Sequence, residues 1–309
     1  MKIAMHKKYN LSPDMQTFVD RCESFFDDSA INQGLEQQRR AYNAMTASFA
    51  RERSNLLVVT DQLHSGVRTR CYQPKDNSYA TTILYAHGGG WYLGGLDSHD
   101  SYCADIAQHC QVRLIAVDYR LAPEFAFPAA LDDCFNVYQS LIHQGIAPLL
   151  MGDSAGANLM AALTLRCKEY KLVQSPAQIL IYPALAPPLS LPSHHRLSDA
   201  PLVSSDSIKF CLENYIPHCY RTEQMESIFP LQAKSLESLP TAAIFAGQFD
   251  PLIDDAQDYS RRLQEHDVAS ECFVINGLVH GALQAIGRSK EADDLFQSIA
   301  EQVLRFKQL

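Results

Sequence analysis

The sequence predicts an α/β protein with a mostly parallel β-sheet that is covered by helices on both faces. From residue 56 onward, short apolar runs of the kind found in buried strands alternate with segments of helical spacing. This alternation is typical of parallel strands joined by crossover helices. The chain has 309 residues, of which 47% are hydrophobic and 20% charged, a composition typical of a globular protein. The length suffices for one large domain or two average ones.

The first 50 residues contain helical patterns and no strand-like run. Ser12 is suited to cap a helix that begins at Pro13. Apolar residues then recur at three- and four-residue steps, at Met15, Phe18, Val19, Cys22, Phe25 and Phe26. The spacing of Tyr42, Met45 and Phe49 predicts a second helix.

Eight apolar runs predict the strands. The first two, residues 56–60 and 68–72, form a predicted pair around the turn at Ser65 and Gly66. The other six are residues 83–86, 114–118, 149–151, 179–182, 242–246 and 272–275.

Residues 184–229 interrupt this alternation. Their first part is rich in proline, and a helical pattern follows at Ile208, Cys211, Leu212 and Tyr215. A segment that leaves the alternation is best explained as an excursion from the sheet, such as a lid.

The segment from Gly152 to Gly156, with the sequence Gly-Asp-Ser-Ala-Gly, joins an apolar run to a helical pattern. This is the setting of a nucleophile elbow, a tight strand-to-helix turn in which small neighbours leave the serine hydroxyl exposed. Ser154 is therefore the candidate nucleophile, flanked by Asp153 and by Ala155, whose N–H is free to donate. The alternative interpretation is an ordinary strand-to-helix turn.

His87 is followed by Gly88, Gly89 and Gly90, directly after the run 83–86. Consecutive glycines let the backbone approach a ligand and can direct several N–H groups at one point, as an oxyanion hole requires. The alternatives are a flexible turn or a phosphate-binding loop. Neither the P-loop pattern nor the dinucleotide-binding pattern is completed here.

A serine nucleophile needs a base, and the base needs an acid that orients it. In parallel sheets such residues lie just past the carboxyl ends of strands. Asp250 follows the run 242–246, and His280 follows the run 272–275. The order Ser154, Asp250, His280 is the chain order of α/β-hydrolases. In these roles His280 takes and returns the proton, and Asp250 fixes its ring.

Other acids and histidines fit these roles less well. Asp254 and Asp255 lie at the start of a helical pattern, where a carboxylate is placed to cap the helix. His266 precedes its strand and is expected at the opposite edge of the sheet. His194 and His195 lie in the lid-like segment, where a solvated surface pair is expected rather than a metal site.

Residues 118–124 follow a predicted strand and have the sequence Asp-Tyr-Arg-Leu-Ala-Pro-Glu. We interpret them as a loop beside the site that is fixed by an internal pair between Arg120 and Glu124. A direct catalytic role for Glu124 is the alternative.

Together these motifs resemble the hormone-sensitive-lipase-like family of α/β-hydrolases, and bacterial acetyl esterases most of all. The similar segments are, in chain order, His-Gly-Gly-Gly-Trp, Asp-Tyr-Arg-Leu-Ala-Pro-Glu, Gly-Asp-Ser-Ala-Gly, Asp-Pro-Leu-Ile-Asp and His-Gly. The resemblance runs from about residue 50 to the C-terminus. It implies a single domain over residues 1–309, with an eight-stranded sheet and a helical cap formed by residues 1–50 and 184–229.

The resemblance also implies the site residues. Ser154, Asp250 and His280 would form the catalytic triad. The remaining site residues are the N–H donors of the oxyanion hole, Gly88, Gly89 and Ala155, and the supporting motif residues His87, Gly90, Asp153 and Glu124. The family hydrolyses short-chain acyl esters without a cofactor, so neither a cofactor nor a metal ion is expected.

The leading hypothesis is therefore a serine esterase that acts on acetyl or other short acyl esters through an acyl-enzyme intermediate. An amidase or peptidase with the same triad is the alternative within this fold. A small-ligand-binding regulatory protein on a hydrolase scaffold is the alternative from another class.

Composition limits the partners. The chain carries 26 Lys and Arg against 35 Asp and Glu, a net charge of −9. This argues against nucleic acid and anionic membranes as partners, because both are bound by clustered basic side chains. A small-molecule ester is the expected partner, and a regulatory protein partner stays open.

Nine cysteines are scattered along the chain, and none forms a Cys-x-x-Cys pair. We therefore expect neither a disulfide framework nor a zinc site. The N-terminus lacks the apolar stretch of a signal peptide, so the expected location is the cytoplasm. No transmembrane span is expected.

The run 272–275 is expected to form an edge strand beside a helix through Leu295, Ile299, Val303 and Phe306. An exposed edge can pair with a second strand. On this basis we predict a homodimer.

Overall fold

The computed structural model of the chain describes residues 8–26, 34–76, 81–216 and 225–309. Within these ranges the strands are β1 (Leu57–His64), β2 (Val67–Pro74), β3 (Thr82–Ala86), β4 (Arg113–Val117), β5 (Leu149–Asp153), β6 (Ala177–Ile181), β7 (Thr241–Phe249) and β8 (Ser270–Val279). The α-helices are α1 (Pro13–Glu23), α2 (Leu35–Ser48), α3 (Asp100–Cys110), α4 (Ala129–His143), α5 (Ala155–Glu169), α6 (Pro192–Arg196), α7 (Ser205–Tyr215), α8 (Met225–Ile228), α9 (Ile253–Glu265) and α10 (Lys290–Phe306). Short 3₁₀ helices lie at Pro230–Gln232 and Ala282–Ala285.

The eight strands form one sheet in the order β1-β2-β4-β3-β5-β6-β7-β8. β2 pairs antiparallel with β1 and with β4, whereas every pair from β4 to β8 is parallel. The predicted α/β fold and all eight predicted strands are therefore confirmed. In the parallel part, β3, β5, β7 and β8 end at one edge of the sheet, so the residues that follow them are brought together there.

The hairpin of β1 and β2 shows how local sequence fixes register. Its turn residues, Ser65 and Gly66, have φ angles of 51° and 83°, which suit the tight two-residue turns of hairpins. His64 consequently pairs with Val67, and the pairing continues to Leu57 opposite Pro74.

Helices cover the sheet on both faces, and successive strand residues face opposite ways. In β5, Leu150 belongs to the hydrophobic core that contains α4, α5 and α9. Leu149 and Met151 belong to the core that contains α1, α3 and α10. Successive residues of a central strand therefore face two different apolar cores. Because both faces are buried, the central strands appear in the sequence as unbroken apolar runs.

The predicted N-terminal helices are present. Ser12 accepts a hydrogen bond from the N–H of Met15 at 3.2 Å, with Pro13 in the first turn. The second predicted helix is α2, which begins at Leu35 and ends before Phe49.

The segment 184–229, called the insertion below, leaves the sheet between β6 and β7 and carries α6, α7 and α8. Residues 217–224 of it, including Cys219, lie outside the described residues, as do residues 1–7 and 27–33 of the first predicted cap segment. Tyr9, ahead of α1, touches the insertion, since its hydroxyl donates to Asp199 at 2.7 Å.

The interpretation of Asp254 and Asp255 as caps of their own helix is wrong. Both lie in the first turn of α9, but Asp255 is fully buried and accepts hydrogen bonds from the N–H groups of Leu185 (2.7 Å) and Ala186 (2.8 Å). Asp254 accepts from the N–H of Ser193 at 2.7 Å. The two carboxylates therefore hold the insertion instead of their own helix.

The expectation of a solvated histidine pair is correct for His195 and wrong for His194. His195 is exposed, whereas His194 is buried and its Nε2 lies 2.7 Å from Oδ2 of Asp255. An unpaired buried charge is costly. His194 and the two N–H groups offset part of this cost, but burial still raises the pKa of Asp255.

The expected pair between Arg120 and Glu124 is also corrected. Arg120 binds Asp133, with Nε at 2.9 Å from Oδ2. Glu124 instead forms a two-pronged pair with Arg39 of α2, at 2.8 and 2.7 Å. Residues 118–124 are thus fixed by side chains of α4 and α2, and not by a pair within the loop.

β8 lies at the edge of the sheet, as expected. The four apolar residues expected beside it on α10 are buried within the chain's own core: Leu295, Ile299, Val303 and Phe306. Any pairing at this edge would therefore use the strand, where residues 272–275 are partly exposed.

Candidate active site

Ser154 stands at the turn between β5 and α5. Its φ of 54° and ψ of −119° lie outside the usual regions for a non-glycine residue, and its N–H donates to the carbonyl of Ile181 at 2.8 Å. A Cβ atom on Gly156 would overlap the carbonyl of Ala86 in β3. Glycine is required there because the helix starts directly against the neighbouring strand.

His280 and Asp250 complete a chain of hydrogen bonds that starts at this serine. Nε2 of His280 lies 2.9 Å from Oγ of Ser154, and its Nδ1 lies 2.8 Å from Oδ2 of Asp250. Asp250 is fully buried, and its Oδ1 accepts from the N–H of Leu252 at 2.8 Å. The carboxylate therefore fixes the ring with Nδ1 protonated, which leaves Nε2 free to accept the serine proton.

Tyr182, which follows β6, packs against the ring of His280 with a centroid distance of 4.6 Å. It is 1% exposed and has a φ of 36°. In the sequence, Tyr182 is the last residue of the apolar run 179–182. Its position could have indicated a place in the site, because β6 lies between β5 and β7, the strands that Ser154 and Asp250 follow.

The glycine loop, residues 87–92, lies after β3. The N–H of Gly88 donates to Oδ1 of Asp153 at 2.8 Å, and a Cβ atom on Gly88 would overlap this carboxylate. The expectation that Gly88 is an oxyanion donor therefore needs correction, because its N–H already has an acceptor. Within the described residues, the N–H groups of Gly89, Gly90 and Ala155 have no internal acceptor.

Asp153 is 4% exposed and binds more than the loop. Its Oδ1 also accepts from the hydroxyl of Tyr85 at 2.5 Å, and its Oδ2 lies 3.3 Å from Nε2 of His99. Burial opposes ionisation of Asp153, but His99 and Tyr85 outweigh it, and the pKa of the carboxyl is lowered. Sequence reasoning identified Asp153 as a motif residue and missed Tyr85 and His99, which lie in β3 and before α3.

His87 supports the loop from a buried position. Its ring stacks on Tyr119 at 4.2 Å, and its Nδ1 donates to the carbonyl of Gly88 at 2.8 Å. The hydroxyl of Tyr119 donates to the backbone carbonyl of His87 at 2.7 Å. Burial lowers the pKa of His87 to about 4, so the ring is neutral near pH 7.

No group of three or more His, Cys, Asp or Glu side chains in the described part of the chain is arranged to hold a metal ion. Among the same residues, no helix combines the length and apolar character needed to cross a membrane.

A sequence profile described as alpha/beta hydrolase fold matches residues 83–284. The chain belongs to the alpha/beta hydrolase fold family. Ethyl acetate hydrolase of Pseudomonas putida is 28% identical to it over 316 residues, which cover 94% of this chain and 98% of that protein. Carboxylesterase NlhH of Mycobacterium tuberculosis is 34% identical over 228 residues, 70% of each chain.

The structural comparison agrees with this membership. A crystal structure of an esterase from the bacterial hormone-sensitive lipase family matches with a TM-score of 0.88 and 22% identity, covering 96% of this chain and 99% of that one. This likeness shows the fold, and the named relatives show the kind of reaction: this alpha/beta hydrolase is a carboxylic ester hydrolase. The family resemblance found in the motifs is thereby confirmed.

In this hydrolase the predicted residues fall into three places. Ser154, His280 and Asp250 are joined by direct hydrogen bonds. The glycine loop and Asp153 lie beside them, and the N–H of Gly88 in the loop donates to the Asp153 carboxylate. Glu124 lies apart, on Arg39 of α2, and makes none of these contacts.

Proposed function

We propose that the protein is a serine carboxylesterase that hydrolyses short-chain acyl esters, of the acetyl type, through an acyl-enzyme intermediate. The observation that carries the proposal is the unbroken chain of hydrogen bonds from Oγ of Ser154 through the ring of His280 to Asp250. A serine alcohol is a weak nucleophile unless a positioned base takes its proton, and this chain supplies that base.

In the first half of the reaction, Oγ of Ser154 attacks the ester carbonyl carbon while Nε2 of His280 takes the hydroxyl proton. The tetrahedral intermediate then collapses: the bond to the alcohol oxygen breaks, and His280 returns the proton to the departing alcohol. Asp250 stabilises the imidazolium that exists between these two transfers. The acyl group is left on Ser154.

In the second half, His280 takes a proton from water, and the hydroxide oxygen attacks the acyl carbon. Collapse of this second intermediate returns the proton to Oγ and releases the carboxylic acid. Ester and water are thus converted to alcohol and acid, and Ser154 is regenerated.

Negative charge on the carbonyl oxygen needs donors that are already in place. We assign them to the N–H groups of Gly89 and Ala155, as expected from the sequence, with Gly90 in place of Gly88. Gly88 is excluded because its N–H binds Asp153, whereas these three have no internal acceptor among the described residues. Each such donor contributes about 3 kcal/mol to transition-state stabilisation in hydrolases of this kind.

We further propose that the chain is one domain in which residues 1–50 and the insertion form a cap over the site. Contacts from both segments support this. Arg39 of α2 donates to the carbonyl of Tyr92 in the glycine loop at 2.8 Å, and Tyr215 of α7 stacks on Trp91 at 4.5 Å. The relative named ethyl acetate hydrolase supports an acetyl-type substrate.

We also propose a cytoplasmic location and a homodimeric assembly. The eight described cysteines are free thiols, which supports the cytoplasm as the working compartment. The partly exposed residues 272–275 of edge strand β8 support a homodimer. Sedimentation equilibrium at micromolar protein should give twice the chain mass of 34.5 kDa, and a monomer mass would rule out the dimer.

The test of the proposed function is a series of p-nitrophenyl esters from acetate to laurate, with wild type and Ser154→Ala. We expect the highest kcat/KM for the shortest acyl groups and a loss of at least about 10³-fold in the variant. Retained activity in Ser154→Ala would overturn the mechanism, and a preference for long chains would overturn the substrate class. If p-nitroacetanilide were cleaved with a higher kcat/KM than p-nitrophenyl acetate, the protein would be an amidase instead.

A further inference from the structure

Helix α7 of the insertion covers the glycine loop residue by residue. A Cβ atom on Gly90 would lie 2.5 Å from Sγ of Cys211, and the ring of Trp91 stacks on Tyr215 with centroids 4.5 Å apart and planes 5° apart. Tyr92 meets Phe210 edge to face, at 5.7 Å and 77°. Three consecutive loop residues are thus each covered by a residue of one helix that lies outside the sheet.

The loop needs support from outside because its own backbone is strained. Gly90 and Trp91 have φ angles of 58° and 62°, and the left-handed region is unfavourable for a bulky residue such as Trp91. Three backbone hydrogen bonds hold the chain here. The N–H groups of Tyr92 (3.2 Å) and Leu93 (2.8 Å) donate to the carbonyl of Gly89, and the N–H of Ala122 donates to the carbonyl of Trp91 at 2.9 Å. None of them fixes the indole ring.

Packing, including the stack on Tyr215, holds the indole. Trp91 is 2% exposed. Within the part of the chain that the structure describes, neither its indole N–H nor the hydroxyl of Tyr215 has a hydrogen-bond partner. The contact between the two side chains therefore depends on the aromatic faces alone, whose attraction exceeds simple area burial by about 1 kcal/mol.

Tyr215 is itself held in place. It is fully buried, its backbone carbonyl accepts from the N–H of Phe127 at 2.8 Å, and the ring of Phe127 meets its ring edge to face at 5.7 Å. The insertion thus brings a fixed aromatic surface to the glycine loop.

We propose that Tyr215 is a positioning residue for ester hydrolysis: through its stack on Trp91 it holds the glycine loop with the N–H groups of Gly89 and Gly90 aimed at the oxyanion. The proposal rests on the function proposed above, in which these groups stabilise the tetrahedral intermediate. Because the oxyanion exists only in the transition state and intermediate, loss of this support lowers kcat and leaves KM nearly unchanged. The insertion is then part of the catalytic apparatus as well as a cover.

The experiment compares Tyr215→Phe with Tyr215→Leu on p-nitrophenyl acetate. Tyr215→Phe keeps the ring and removes only the hydroxyl, so we expect kcat within about twofold of wild type. Tyr215→Leu removes the stack, and we expect kcat to fall at least roughly tenfold with KM changed less than about threefold. Trp91 is the only tryptophan of the chain, so a change in its emission spectrum reports directly that the stack is lost.

Phe135→Leu is the matched control. It removes a ring that packs on Tyr170 with a centroid distance of 5.3 Å. Tyr170 lies at the C-terminal end of α5, and the 15 residues of this helix place it about 22 Å from Ser154. We expect kcat to be unchanged. If Phe135→Leu lowered kcat as much as Tyr215→Leu, the loss would reflect general destabilisation of the fold, and the proposal would be overturned.

Two further results would also overturn it: unchanged kcat in Tyr215→Leu despite altered Trp91 emission, or an equal loss of kcat in Tyr215→Phe. If Tyr215→Leu fails to fold, Tyr215→Met, which has similar volume and no ring, is judged by the same criteria. Ser154→Ala separates the two proposals. An inactive Ser154→Ala beside a fully active Tyr215→Leu rejects the positioning role alone, whereas an active Ser154→Ala rejects the proposed function itself.

Discussion

His280 places its Nε2 2.9 Å from Oγ of Ser154, although 126 residues separate the two in the chain. Ser154 follows β5 and His280 follows β8, at the same edge of the sheet. Parallel pairing of the strands between them brings the two side chains together, and Asp250 after β7 reaches His280 from the adjacent strand.

Asp250→Asn should lower kcat by roughly 10⁴-fold. An amide at this position can donate to Nδ1 of His280, which favours the ring form whose Nε2 carries the proton and cannot accept one from Ser154. Steady-state kinetics on p-nitrophenyl acetate measure the effect. Asp254→Asn is the matched control, because Asp254 binds Ser193 and not His280. Equal losses in both variants would mean that Asp250 has no special role.

Asp153→Asn should lower kcat by at least about tenfold and destabilise the fold by about 1–3 kcal/mol. An amide offers one oxygen, whereas the carboxylate serves Gly88, Tyr85 and His99 together. Kinetics and urea unfolding give the two numbers. If kcat stayed at the wild-type value, Gly88 would not need this carboxylate to hold the loop.

His87 makes the protein less stable below neutral pH. Its pKa is about 4 in the folded protein and about 6.5 in the unfolded chain. The unfolded state therefore binds the proton more readily between these values, and stability falls as pH drops through this window. At pH 5 the loss is about 2 kcal/mol relative to pH 7. His87→Phe, which keeps a ring against Tyr119, should unfold in urea with a correspondingly weaker dependence on pH over this range. An unaltered pH dependence would assign the effect to other groups.

Asp255→Ala should cost about 3–5 kcal/mol of unfolding free energy. It leaves the N–H groups of Leu185 and Ala186 and the ring of His194 without their acceptor in a buried site. Asp255→Asn keeps one oxygen and should cost less. Urea denaturation ranks the three proteins, and equal stability of wild type and Asp255→Ala would contradict the view that this carboxylate holds the insertion.

Patterns of neighbouring residues predicted most of this fold. The alternation of apolar runs gave all eight strands, and Ser12 with Pro13 marked the start of α1, because these features depend on local geometry and burial. The candidate triad residues were found because each follows a strand in a short motif. Their contact distances depend on the order of strands in the sheet, which local patterns do not contain.

Two of the errors share a physical cause. Sequence reasoning paired charged residues with near neighbours, as in Arg120 with Glu124 and in Asp255 with its own helix. The structure pairs them with distant elements, such as Glu124 with Arg39, 85 positions away, and Asp255 with His194, 61 positions away. A carboxylate takes whichever donors the packing brings close, and packing joins residues far apart in sequence.

Covalent labelling of Ser154 tests the central claim most directly. Diethyl p-nitrophenyl phosphate transfers its phosphoryl group to an activated serine and releases p-nitrophenol, so mass spectrometry of the intact chain and its peptides locates the nucleophile. We predict one diethylphosphoryl group per chain, on Ser154, with loss of esterase activity in step with labelling and no adduct in Ser154→Ala. Labelling and inactivation at another residue, with Ser154 unmodified, would contradict the account.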